Sequence, residues 1–256
     1  MGMSMEKVEK RIVEFIRDYV RSANAEGVVL GVSGGVDSAC VAFLCSKALG
    51  GENVLGLIMP EKGVTREEDV EDAIEVCKKA GIKYKIVEIS DILQKFKGIS
   101  SCDRDIALAN LKPRIRMVLN YYYANCLNRI VAGTGNKSEL MVGYFTKYGD
   151  GGCDFLPIGD LYKTEVFMLA EHLGVPERVI KKKPSAGLWV GQTDEDEMGI
   201  SYKVLDAILK RIERGEIEKA IEEFGKDSVD KVRDMIARSE HKRSLPMAVS
   251  LRDLLD

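Results

Sequence analysis

Residues 28–38 read Val28-Val29-Leu30-Gly31-Val32-Ser33-Gly34-Gly35-Val36-Asp37-Ser38. The first five are a short apolar run that suits a buried strand. Residues 37–49 are apolar at helical spacing and stop at Gly50-Gly51. A strand that turns through glycines straight into a helix bares the first N–H groups of that helix and the positive end of its dipole, a corner that favours an anion. Glycine lets a ligand approach the backbone closely, and Ser33 and Ser38 add hydroxyls. Asp37 would repel a phosphate directly; its presence predicts Mg²⁺ between carboxylate and phosphate. Neither GxxxxGK[ST] nor GxGxxG occurs here. Gly31–Gly35 also fits GxSxG, the nucleophile elbow of hydrolases, with His241 downstream in the expected order. That elbow normally follows several strands, whereas this loop follows the first, and Asp37 and Ser38 would then have no role.

Working outward, residues 4–24 carry helically spaced apolar residues and lead into the strand at 28–32. Val54–Met59 reads as a second strand. Thr65 and Glu68 predict a capping box for a helix over 65–80. Lys83–Ile89 alternates as a third strand, 104–127 is a long helical pattern, and Arg129–Ala132 is a fourth strand. From about 199 the pattern is helical to the end. Strands alternating with helices predict an α/β fold: a doubly wound parallel sheet with helices on both faces and a helical C-terminal extension. One domain over 1–256 is expected, with a core at about 28–190 and a helical part at about 199–256. Ligands in such folds sit beyond the carboxyl ends of the strands, so the informative loops follow Val32, Met59, Ile89 and Ala132.

Composition narrows the function. The 256 residues are 45% hydrophobic and 31% charged, which suits a globular chain rather than a disordered one. Net charge is −3, from 38 basic and 41 acidic side chains. No chain-wide basic field for nucleic acid exists, and nucleic acid is not an expected partner. No apolar run approaches a membrane span and the N-terminus lacks a signal-peptide pattern, so no membrane partner and a cytoplasmic location are expected. Six cysteines without a CxxC pair predict reduced, mostly buried thiols. Two histidines are too few for a His-rich metal site.

Two further segments carry chemistry. Gly133-Thr134-Gly135-Asn136-Lys137-Ser138-Glu139 follows the fourth strand. Glu139 could be a second carboxylate for Mg²⁺ if its strand neighbours the first, or simply an acidic residue in a capped first turn. Residues 143–157 hold four glycines among aromatics and charges, a composition typical of binding loops. Its rings could stack on a flat heterocycle, with Lys147 and Asp154 orienting it.

SGGxDS at Ser33–Ser38 resembles the pyrophosphate loop of the N-type ATP pyrophosphatases. GTGNKSE, FTKYGDGGCD, LPIGDLYKTEV, PERVIKKKPSAGLW, Gln192-Thr193-Asp194-Glu195, GISY and Glu240-His241-Lys242-Arg243, in this order, are similar to the ammonia-dependent NAD synthetases. That resemblance covers residues 28–245. It implies ATP-dependent amidation of deamido-NAD by ammonia through an adenylate, with release of AMP and pyrophosphate. It implies ATP contacts at Gly31, Val32, Ser33, Gly34, Gly35, Val36, Asp37, Ser38, Thr134, Lys163 and Ser185. Ser185 stands where relatives often carry threonine. It implies Mg²⁺ on Asp37 and Glu139, and deamido-NAD contacts at Arg114, Lys147, Asp154, His241 and Lys242. Residues 143–154 and 183–198 are expected to act as lids. Only 27 residues precede the first strand, too few for the amidase domain of the glutamine-using relatives. A homodimer with its dinucleotide site at the interface is expected. The apolar face of 104–127 (Ile106, Leu108, Leu111, Ile115, Val118, Leu119, Tyr122, Tyr123) is then core or interface. Two other readings compete: a tRNA-modifying or sulfur-transferring ATP pyrophosphatase, which favours CxxC and a basic surface, and a non-catalytic ATP-binding module.

Overall fold

The computed structural model describes residues 4–99, 104–189 and 191–251. Helix α1 (Met5–Ser22) leads to strand β1 (Val28–Gly31), and α2 (Val36–Leu49) returns the chain to β2 (Val54–Ile58). Helix α3 (Glu67–Ala80) precedes β3 (Lys83–Ile86); α4 (Ser90–Ile99) and α5 (Asp105–Cys126) then cross to β4 (Ile130–Val131). All pairings are parallel, in the order β3-β2-β1-β4.

The centre of the sheet is buried on both faces, as β1 shows, whereas the edge strand β3 is exposed along its length. Val28 and Leu30 point into a core built with α1, α2 and α3, whereas Val29 joins Leu57, Val131, Leu93 and Ile115, the last two from α4 and α5. Alternation along the strand thus feeds two cores, which a continuous apolar run permits. The chain leaves β1 toward β2 on one side but later returns to β4 on the other. The corner between β1 and β4 is therefore a topological switch point, where the following loops diverge and leave a crevice.

Past β4 come α6 (Lys137–Val142), α7 (Lys163–Leu173), α8 (Glu177–Lys181) and α9 (Asp194–Met198). Helices α10 (Tyr202–Glu213), α11 (Ile217–Phe224), α12 (Lys226–Arg238) and α13 (Glu240–Arg243) follow. The later helices have their own core, with Leu205, Ile208, Leu209, Ala220, Val229 and Val232 packed on Val142 of α6 and on Tyr162. Among the described residues no helix is long and apolar enough to cross a membrane.

Several local expectations need correction. Thr65 does not cap a helix: its Oγ1 accepts from the Glu61 N–H, and α3 starts two residues later with its N-cap, Arg66, forked onto Asp69. The third strand ends at Ile86, and α4 was not expected at all. The chain is not helical to its end: Ser244 is extended and no helix occurs over 244–251, where Pro246 disfavours α geometry in the residue before it. The apolar face of α5 is both core and surface: Ile115 is buried, while Ile106, Val118 and Tyr122 are about 60% exposed. Cys40, Cys45 and Cys77 are buried free thiols, but Cys126 is exposed and Cys153 half-buried. Cys102 lies outside the described residues.

Candidate active site

Three helix starts meet at the switch point. Asp37 is the second residue of α2, Glu139 the third of α6 and Lys163 the first of α7. The β1–β4 pairing brings the first two loops side by side. Asn136 caps α6: its side chain accepts from the Glu139 N–H, while Glu139 accepts from the Asn136 N–H at 3.3 Å. The same Asn136 donates Nδ2 to Asp37 Oδ1 at 2.8 Å, tying the two loops together. Glu139 is thus an acidic residue in a capped first turn, and the same turn brings it beside Asp37.

Lys163 holds the centre. Its side chain is 2% exposed, and Nζ lies 2.5 Å from Asp37 Oδ2 and 3.2 Å from Glu139 Oε1, over the Tyr202 ring. Burial works against its charge, but Asp37 and Glu139 outweigh it and raise its pKa. Burial pushes the Glu139 carboxyl up to about 7, with Lys163 pulling the other way. Asp37 Oδ2 and Glu139 Oε1 are hard oxygen donors converging on one cation. Mg²⁺ commonly takes one or two carboxylates and keeps water or phosphate oxygens for the rest, so this pair fits it. Among the described residues no group of three or more His, Cys, Asp and Glu is arranged to hold a metal.

The Gly-rich loop beside this centre has its hydroxyls turned inward. Ser33 and Ser38 share a 3.1 Å hydrogen bond, Ser38 Oγ donates to the Gly35 carbonyl, and the Gly35 N–H donates to Ser33 Oγ. Ser33 thus bonds to a serine and a backbone amide rather than to an imidazole. Among the described residues no histidine ring hydrogen-bonds to Ser33, which the nucleophile elbow would require; His241 offers its backbone carbonyl to Lys147. No side chain caps α2, which leaves its first N–H groups available to an anion. Gly34 has φ +78°, and a Cβ there would lie 2.4 Å from the Asp69 carbonyl, so only glycine fits.

A cavity of about 1040 Å³ opens over this loop. Gly31–Ser38, Thr134, Glu139, Lys163 and Ser185 all line it, as do much of 143–153 and 182–194. Lys112 of α5 bridges two rims: its Nζ is 2.7 Å from Glu61 Oε2 and donates to the Leu188 carbonyl at 2.6 Å.

The residues expected to read a dinucleotide divide. Arg114 donates to the Lys147 carbonyl at 3.3 Å, Lys147 Nζ donates to the His241 carbonyl at 2.6 Å, and Lys242 Nζ donates to the carbonyls of Gly143 and Phe145. These four form one connected surface patch, of which only Lys242 lines the cavity. Asp154 is anchored elsewhere, accepting from the Val131 N–H and the Tyr121 hydroxyl.

Sequence reading overlooked three supports, two of them buried. Asp206 of α10 accepts from Ser138 Oγ at 2.5 Å and from the Thr164 N–H, fixing the starts of α6 and α7. Asp194 accepts from Tyr202 and Tyr144, and the Tyr202 hydroxyl also lies 3.4 Å from Glu139 Oε1. Burial raises the Asp194 pKa. Lys182 reaches Gly34, Asp69 and Asp72. The Gln192–Glu195 motif pointed to Asp194, and the Pro176–Trp189 motif to Lys182, without giving either a role; Asp206 carried no signal among the many charged residues of the C-terminal helices.

Comparison with known proteins gives the family. The NAD synthase family model matches residues 8–246. An NH(3)-dependent NAD(+) synthetase of Archaeoglobus fulgidus is 64% identical over 253 residues, spanning 99% of this chain and 100% of that protein. The chain belongs to the NAD synthase family. Solved structures of similar fold include an NMN synthetase from Francisella tularensis, at 35% identity and TM-score 0.87, covering 97% of this chain and 99% of that one. An NH3-dependent NAD synthetase from Campylobacter jejuni aligns at 36% identity and TM-score 0.85, covering 97% and 100%.

Proposed function

We propose that this chain makes NAD from deamido-NAD, ATP and ammonia, the closing step of NAD synthesis. The observation that carries the proposal is the 64% identity, over its whole length, to a synthetase of that activity. The chemistry has two displacements. An oxygen of the nicotinate carboxylate attacks the α-phosphorus of ATP, and the bond to the β-phosphate oxygen breaks, releasing pyrophosphate. Ammonia then attacks the carbonyl carbon of the mixed anhydride, loses a proton and expels AMP.

The first step brings two anions together, so charge must be neutralised. Lys163 offers a buried ammonium, and the N–H groups at the start of α2 offer fixed dipoles; one such donor is worth about 3 kcal/mol in a transition state. Asp37 and Glu139 would hold Mg²⁺, which when bound adds positive charge beside the phosphate oxygens. Thr134 and Ser185, which line the cavity, would contact ATP. Arg114, Lys147, His241 and Lys242 would hold deamido-NAD from their connected patch, and Asp154 from the end of β4. The segments 143–154 and 183–198 would close over the adenylate and keep water out.

Two copies of the chain would complete this site. Arg114, Val118 and Tyr122 follow one another at i, i+4 and i+8, one stripe of α5, and the latter two are unusually exposed apolar residues. Pairing through that stripe would cover them and place Arg114 at the junction.

The test is product analysis. With ATP, deamido-NAD and ammonium, NAD, AMP and pyrophosphate should form in equal amounts, and omission of deamido-NAD should stop pyrophosphate release. Pyrophosphate release that ignores deamido-NAD would refute the proposal. Likeness to a structure described as an NMN synthetase favours one second reading, in which the deamido-mononucleotide is the better substrate. A higher kcat/KM for the mononucleotide would establish that reading.

A further inference from the structure

We propose that Lys182 is a positioning residue for ATP, acting through the Gly34–Gly35 peptide. The inference rests on the reading of Gly31–Ser38 as a phosphate loop. Lys182 follows α8 and begins the segment that walls the cavity. Its Nζ donates to the Gly34 carbonyl at 3.1 Å and to Asp69 Oδ1 at 2.8 Å, and also pairs with Asp72. Asp69 is forked by Arg66, and Asp72, only 4% exposed, is paired on its other oxygen with Arg178 at 2.6 Å. Two carboxylates, each with a second cation, therefore aim one ammonium at a single backbone carbonyl.

That carbonyl decides what the loop offers a ligand. A trans peptide points its C=O and N–H in opposite directions. With the Gly34 oxygen turned out toward Lys182, the Gly35 N–H faces inward, where it meets Ser33 Oγ at 3.2 Å. Flipping this one peptide plane would aim a carbonyl oxygen at an incoming phosphate and withdraw an N–H donor. Both flanking residues are glycines and Gly34 sits at positive φ, so little in the loop's own sterics opposes the flip. Lys182 supplies the missing constraint from outside the loop.

The test separates this role from simple charge compensation. Lys182→Met leaves Asp72 short of a partner and could destabilise the fold for that reason alone. The double variant Lys182→Met/Asp72→Asn removes the excess charge but still lacks the donor. Both variants should raise the KM for ATP about tenfold or more, the worth of a charge-assisted hydrogen bond. Inhibition by pyrophosphate should weaken in parallel, with the KM for deamido-NAD within about twofold of wild type. Lys182→Arg, which keeps a donor in reach, should recover most of the ATP affinity. A double variant with wild-type ATP KM, or one that loses both substrates equally, would overturn the proposal. Calorimetric titration of the wild type with Mg-ATP separates the underlying premise. No binding there would refute the phosphate-loop reading itself, whereas wild-type binding retained by the double variant would refute only Lys182.

Discussion

At the scale of single residues, the centre is a charge-balance problem solved by Lys163. A lysine 2% exposed keeps its proton because Asp37 and Glu139 face it. Removing it leaves two carboxylates in a half-buried crevice, and breaking a buried pair typically costs 3–5 kcal/mol. Lys163→Met should therefore lose activity and, by denaturant titration, about that much stability. Adding Glu139→Gln should return part of the stability and none of the activity. Asp37→Asn keeps the shape and the Asn136 contact, so it should abolish pyrophosphate release while the far-UV spectrum and cooperative melting persist. Wild-type turnover in that variant would contradict the role of Asp37. Lys147 lies outside the cavity in the Arg114–His241 patch. Lys147→Ala should accordingly raise the KM for deamido-NAD more than that for ATP.

At the scale of elements, helix N-termini built the site and ion pairs hold the helices in register. Glu9 of α1 accepts from Lys47 of α2 at 2.7 Å and lies 2.8 Å from His172 of α7. Burial pushes the Glu9 carboxyl up, but bonds to Lys47 and His172 pull it below its ordinary range. A depressed acid contributes stability above its unfolded pKa and loses it as pH falls through the folded value. Glu9→Gln should lower stability at pH 7 by about 1 kcal/mol, and the gap from wild type should close as pH falls through the depressed folded value; thermal melts over a pH series check both. The elements themselves were largely legible, because β1, α2, β2, α5 and β4 are apolar runs or periodic stretches punctuated by glycine. Helix α4 escaped notice because it is short and mostly exposed. The Thr65 box failed because a hydroxyl close to several backbone N–H groups can serve a turn as readily as a helix. Asp37, Glu139 and Lys163 were readable as motif residues, but their meeting depended on strand order; Asp206 became visible only through contacts far apart in sequence, and Lys182, though inside the 176–189 motif, gained a role only from such contacts.

At the scale of the whole molecule, the two-sided sheet and the later helices are joined through the active centre rather than beside it. Asp206, from the C-terminal core, fixes the starts of α6 and α7, and Tyr202 reaches Glu139. Disturbance of that core should thus register in catalysis before it registers in global unfolding. The exposed α5 stripe makes a matching prediction about assembly. Val118→Asp should yield monomers by light scattering, with deamido-NAD affinity reduced and the melting temperature little changed. A wild-type chain that is fully active as a monomer would contradict the shared site.

The ammonium between Asp37 and Glu139 has one more consequence. Proteins whose clustered acids rely on a metal for neutrality unravel when it is stripped away. This one carries its own counter-ion, covalently tethered and always present. Chelation should silence the enzyme yet leave its melting temperature unmoved, and returning magnesium should restore full turnover with no refolding lag. A cell short of the ion would then hold idle catalyst in reserve rather than lose it to degradation.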